Sequence, residues 1–130
     1  MLIFVSDFRG ANAGADFRSY SVLRKNLFQL SKLDFELPIV DLGNLISGKT
    51  LADTHLVIQE LVTVCLAQHA IPVIIGGSTD LSLPLFSAVN VFKKNTNFIQ
   101  MSNKVSLSNE GRVVTEANYL SKLLGGKDFD

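Results

Sequence analysis

Between Ile71 and Leu85 the chain reads IPVIIGGSTDLSLPL, and this order of residue types constrains the fold more than any other stretch. The apolar run Pro72-Val73-Ile74-Ile75 has the length and composition of a buried strand. It leads into Gly76-Gly77 and then into a helix start at Ser82-Leu83-Pro84. Proline is tolerated there because the first helical N–H has no partner in any case. A strand, a glycine turn and a helix place the next side chains at the carboxyl end of a sheet, where open α/β folds keep their ligand sites. Those side chains are Ser78, Thr79 and Asp80. Ser78 and Thr79 are poor metal ligands and poor acid–base groups, and the single Asp80 carboxylate could bind a cation only weakly, so the position of a site is present without its usual chemistry.

The rest of the chain repeats the strand–helix alternation. Leu2 to Val5 is a short apolar run and reads as a strand. The stretch from Ser6 to Phe17, with Gly10, Asn12, Gly14 and Asp16, is a loop rich in turn residues. Tyr20, Leu23, Leu27 and Leu30 lie three or four apart, which predicts a helix from Ser19 to Ser31. Leu37 to Leu42 is the second expected strand. Thr50 and Asp53 have capping-box spacing and open a helix to about Gln68, with Ile58, Leu61, Val62 and Cys65 inward. A third helix is expected from Ser82 to Phe92 and a fourth strand from Asn97 to Ser102. Thr115 is expected to cap a last helix that ends at Gly125-Gly126. The alternation predicts one domain over 1–130: a three-layer α/β/α fold with a mostly parallel sheet of about four strands.

Composition removes several function classes. With 47% hydrophobic residues the chain is built to fold, and its 12 basic and 12 acidic residues leave no net charge. No basic footprint for nucleic acid or an anionic membrane exists. No apolar run approaches the roughly 18 residues of a membrane span. The start, MLIFVSDFRG, lacks the basic segment and cleavage site of a signal peptide, so the expected location is cytoplasmic. The one cysteine, Cys65, can make no internal disulfide and is expected in the core.

Several stretches resemble one family. Gly10-Ala11 to Gly14-Ala15, then Leu23-Arg24-Lys25 and Leu27-Phe28-Gln29-Leu30, are similar to the first loop and helix of the arginase/agmatinase/formimidoylglutamase (ureohydrolase) family. The likeness is to its N-terminal half and to its formimidoylglutamase-like members. Val40-Asp41-Leu42-Gly43-Asn44, Gly48-Lys49-Thr50 and Asp53-Thr54 resemble the second strand and helix start. Ile71 to Gly77 resembles the strand that delivers the first metal ligand. The resemblance implies an arginase-like domain whose relatives hold a pair of manganese ions. Those ions activate a hydroxide that attacks a guanidino or formimino carbon.

In that family the double glycine is followed by Asp-His, and the next strand ends in Asp-x-His-x-Asp. Here Thr79 stands at the ligand histidine. Ser102, Lys104 and Ser106 stand at the next three ligands. A protonated lysine repels a metal ion rather than binding it. The family's last ligand pair belongs to a C-terminal half that the resemblance does not reach. The resemblance therefore implies no catalytic residue, no manganese, and an inactive scaffold or interaction domain. The alternative is a hydrolase, or a module that binds a small anion or a guanidino ligand through Gly76, Gly77, Ser78, Thr79 and Asp80.

Other constellations have plain readings beside them. His55 and His69 are fourteen residues apart, about four helical turns, and cannot share a metal from one helix. His69 suits a helix C-terminus on the surface. Neither histidine is placed as a base for a serine, and no G-x-S-x-G occurs. Gly76 to Thr79 could cradle an anion with its amides, though it is neither a Walker A loop nor GxGxxG. Asp7, Arg9, Asn12 and Asp16 could line a cleft with Ser78, Thr79 and Asp80; the preferred reading is a solvated loop.

In the family's sheet, strands of the C-terminal half separate the Asn97–Ser102 strand from Pro72–Ile75. Without them the latter has an open apolar edge. One expectation is that Asn97–Ser102 moves in beside it, giving strand order 2-1-3-4. Another is that a second copy or a different partner covers the edge. A further one is that the chain is a piece of a longer protein.

Overall fold

The computed structural model describes residues 1–11, 19–30, 38–92, 96–109 and 111–125. The element order is β1 (Leu2–Val5), α1 (Ser19–Gln29), β2 (Asp41–Leu45), α2 (Leu51–Ala67), β3 (Val73–Ile75), a 3-10 turn (Thr79–Leu81), α3 (Ser82–Phe92) and α4 (Tyr119–Leu124). The three strands form one parallel sheet in the order β2-β1-β3. It is a small α/β fold, as the alternation of apolar runs and helical spacings predicts.

The strand cores follow from short apolar runs. Leu2, Ile3 and Phe4 pair with Val73, Ile74 and Ile75. Ile3 and Val5 point one way, as alternate residues of a strand must. They pack with Leu45, Ile58, Val62, Cys65, Leu81 and Ala88 into the main core, so α2 and α3 cover that face. Phe4 points the other way and is also buried. The Arg24 guanidinium of α1 lies 4.0 Å from the Phe4 ring centroid. Arg24 is held there by the Asp41 carboxylate, Nε to Oδ2 at 2.8 Å.

β2 corrects the expected strand from Leu37 to Leu42. It begins at Asp41, and 38–40 lie outside it; Leu37 falls outside the described residues. Its ladder carries one extra residue between Asp41 and Asn44 relative to Leu2 and Phe4 of β1. Gly43 sits in this bulge at φ +88, where a Cβ would meet nothing among the described residues, so backbone conformation calls for glycine. Its N–H donates to Asp41 Oδ1 at 2.8 Å. Apolar content favoured Leu37 to Val40, but the ladder is set by where β1 offers partners.

α2 starts as its capping pair predicts. Asp53 N–H donates to Thr50 Oγ1 at 3.1 Å, and Thr50 N–H to Asp53 Oδ2 at 2.8 Å. Such a cap is worth about 1 kcal/mol. The helix ends in a left-handed residue, His69 at φ 57, with Ala70 N–H bonded back to Cys65 O at 2.9 Å. His69 takes a conformation that glycine more often supplies. Cys65 is buried in the core. No described helix is long and apolar enough to cross a membrane.

Two further expectations are corrected. The segment 97–102 forms no strand, so the order 2-1-3-4 ends at β3, whose outer edge is unpaired among the described residues. The segment keeps a strand-like alternation. Phe98 packs edge-on against Phe86 of α3 at 5.9 Å, while Ile99 and Met101 are 86% and 95% exposed. Apolar alternation supplies strand propensity, but pairing needs a neighbour in space. The last helix starts four residues after Thr115, with Asn118 at its N-cap. Thr115 instead opens a turn in which its N–H donates to Asn118 Oδ1 at 2.8 Å. Gly125 follows the helix in a right-handed conformation, and Gly126 lies outside the described residues.

Candidate functional site

The carboxyl ends of the parallel strands gather the polar residues of the core. β1 delivers Asp7 and Arg9, the start of α2 delivers Thr54 and His55, and the turn after β3 delivers Ser78 and Asp80. Asp7, Thr54, Ser78 and Asp80 are all buried. Gly76 and Gly77 make the corner at φ 95 and 76. The corner is tied down by Ser78 N–H donating to Asp7 O at 3.1 Å. Gly77 is also required for space, since a Cβ there would meet Leu81 Cδ1 at 2.1 Å.

One half of this cluster is a lock between β1 and the β2–α2 loop. Arg9 Nε donates to Asp7 Oδ1 at 3.0 Å, and Arg9 Nη2 forms a second bond to Asp7 Oδ2. Thr54 Oγ1 donates to the same Oδ2 at 2.7 Å. Arg9 also donates to the carbonyls of Lys49 at 2.8 Å and Gly48 at 3.0 Å. Burial pushes the Asp7 carboxyl upward, but the bonds from Arg9 and Thr54 outweigh it and hold the group down at about 2.

A folded-state value below the ordinary 3.8 means stability that is full above pH 4 and is lost as pH falls toward 2. The expected loss over that window is about 2 kcal/mol. Urea unfolding at pH 6, 4 and 2.5 should show it in the parent protein. The Asp7→Asn variant should be less stable at pH 6 and flatter across the window.

The other half is a carboxylate–imidazole pair. His55 Nε2 lies 2.8 Å from Asp80 Oδ2. Asp80 is 0% exposed, and among the described residues neither its Oδ1 nor the buried Ser78 Oγ has a hydrogen-bond partner. Gly10 makes room for this carboxylate. A Cβ on Gly10 would stand 2.0 Å from Asp80 Oδ1. Gly10 O in turn accepts Glu116 N–H at 2.8 Å. Tyr119 is buried beside them and its phenol bonds to Ser106. Burial first, and the Glu116 and Asp80 carboxylates after it, push the Tyr119 phenol up, against the Ser106 bond that lowers it.

The expected site residues are therefore split. Asp7, Arg9, Ser78 and Asp80 do come together at one sheet edge. Thr79 is exposed next to them, and Asn12 and Asp16 lie outside the described residues. Ser102 and Lys104 are exposed elsewhere, joined by Lys104 N–H to Ser102 Oγ at 3.2 Å. Ser106 is buried against Tyr119. Hydroxyls and an ammonium spread in this way do not fit a dinuclear manganese centre. Among the described residues no three His, Cys, Asp or Glu side chains converge on a point where a metal could sit.

The structure brings in residues that spacing along the sequence passed over: His55, Thr54, Gly10 and Tyr119. His55 was legible in principle. In a parallel α/β unit a helix begins at the carboxyl edge of the sheet, so a histidine in the first turns of α2 stands beside the Gly76 corner. Gly43 to Thr50 also spells the G-x-x-x-x-G-K-T spacing of a phosphate loop. That pattern builds no anion cradle here. Gly43 lies inside β2, Gly48 N–H donates to Thr54 Oγ1 at 2.9 Å, and Thr50 N–H is taken by Asp53. The Gly76 corner is no better for an anion, because Ser78 N–H is used by Asp7 O and two buried carboxylates stand beside it.

The fold and the edge cluster define a small parallel α/β protein with a closed polar core at the carboxyl end of its sheet. No family model, no curated protein and no solved structure matches the chain.

Proposed function

We propose that the chain is an arginase-like domain of the ureohydrolase type that has lost its manganese ligands and serves as a non-catalytic scaffold or interaction domain in the cytoplasm. One observation carries this reading. The two buried carboxylates at the sheet edge are committed inside the protein, Asp7 to Arg9 and Thr54 and Asp80 to His55. A catalytic metal centre needs such groups facing a substrate. The sheet order β2-β1-β3 and the covering of Phe4 by α1 opposite the α2–α3 core suit a three-layer arrangement. Self-association or a partner over the open β3 edge belongs to the same reading, and light scattering would detect the former.

The test is the metal content of the purified protein after manganese loading, read with its melting temperature. The expected outcome is no bound manganese and no shift. A pair of ions per chain with several degrees of stabilisation would overturn the reading.

A second reading is favoured by Ser78 Oγ and Asp80 Oδ1, two buried acceptors without partners among the described residues. They suit a hydrogen-bond donor with positive charge, such as a guanidinium, over an anion. Thermal stabilisation by guanidinium compounds at concentrations where matched sodium salts have no effect would support it.

A further inference from the structure

The stretch 111–124 lies against the residues that enclose Asp80. Part of its order is local, and Ser108 N–H ties it back by donating to Ala117 O at 3.0 Å. Asn118 accepts Thr115 N–H and donates from Nδ2 to Val113 O at 2.9 Å. Tyr119 N–H donates to Thr115 O at 3.0 Å. The helix that follows, Tyr119–Leu124, has six residues, too few to be stable without docking. It docks through Tyr119 and Leu123, both buried, against α3 and the 3-10 turn that carries Asp80. Ahead of it, Glu116 N–H holds Gly10 O, and Gly10 is the residue packed on the Asp80 carboxylate. Gly111 at φ +85, with Arg112 and Val113 exposed beside it, forms the upstream end.

We propose that 111–124 is a strap over Asp80, the buried partner of His55, and that it lifts by local unfolding while the sheet and α2 stay folded. Local segments with few attachments open well before the whole domain does. The groups underneath favour opening. Ser78 Oγ and Asp80 Oδ1 are buried without partners among the described residues, a cost that water removes once the strap lifts. Access to the carboxylate–imidazole pair is then set by the strap. This goes beyond the scaffold reading and does not depend on the family resemblance.

The chain has two histidines, and His69 is exposed, so it serves as an internal reference. Acylation by diethyl pyrocarbonate at one fixed pH, followed by peptide mass spectrometry, gives both rates in one sample. In the parent protein His55 should react more slowly than His69. Glu116→Pro deletes the N–H that holds Gly10 O and should raise the His55 rate, relative to His69, roughly three- to tenfold. Circular dichroism should show the fold retained. If Glu116→Pro does not fold, Tyr119→Phe carries the test, because it keeps the ring and removes only the phenol bond to Ser106. An unchanged relative rate in the folded variants overturns the proposal. So does a His55 rate in the parent that equals that of His69, or one that rises with urea only as the whole domain unfolds.

Discussion

Replacing Gly10 by alanine should destabilise the protein by roughly 3–5 kcal/mol. The added methyl would sit 2.0 Å from Asp80 Oδ1 and 2.4 Å from its carboxyl carbon. This neighbour is not a flexible surface tip. It is a fully buried carboxylate bonded to His55, and it cannot move aside without breaking that pair. The cost therefore combines overpacking with the disruption of a buried charge. Gly43→Ala separates this from a backbone effect. Gly43 has a positive φ and, among the described residues, empty space around it, so alanine there should cost only the left-handed penalty, about 1–2 kcal/mol. Urea unfolding of the two variants, side by side, measures the difference. Equal losses would mean that the contact between Gly10 and Asp80 is not as close as described.

His55→Ala should cost a similar 3–5 kcal/mol at neutral pH, because it strands a buried carboxylate. Asp80 Oδ1 already lacks a partner among the described residues, and the substitution removes the imidazole from Oδ2. The second substitution Asp80→Asn in the same chain removes the charge while keeping the shape. It should restore part of the loss, so the two changes are expected to be clearly non-additive. Additive losses would show that the imidazole contributes packing alone. A fold of this size has only about 5–15 kcal/mol of net stability, so either single change is expected to lower the melting temperature by many degrees.

Both predictions concern residues whose importance is hard to read along the chain, and the contrast with the well-read elements is instructive. β1 and α3 were legible to the residue, since a short apolar run and a helix start with proline in its first turn each depend on near neighbours. The Thr50–Asp53 cap was legible for the same reason, because the box is four residues long. β2 was displaced because its limits are set by the ladder with β1, and its Asp-Leu-Gly-Asn composition hides a bulge. The expected fourth strand failed for a related reason: Phe98, Ile99 and Met101 alternate as a strand does, but among the described residues no partner strand lies beside them.

The site divides in the same way. That Ser78 and Asp80 stand at the carboxyl edge of a parallel sheet was determined by the sequence itself, since strand, double glycine and helix leave the chain no other course. That Thr79, Ser102, Lys104 and Ser106 supply no imidazole and no carboxylate is likewise a property of residue types. What those groups do was decided only in three dimensions. His55 reaches Asp80 across 25 residues, and Thr54 reaches Asp7 across 47. Gly10 matters for an atom seventy positions away. Local spacing encodes hydrogen bonds within a turn of chain, whereas buried charges find partners through packing, and packing joins residues that sequence distance does not connect.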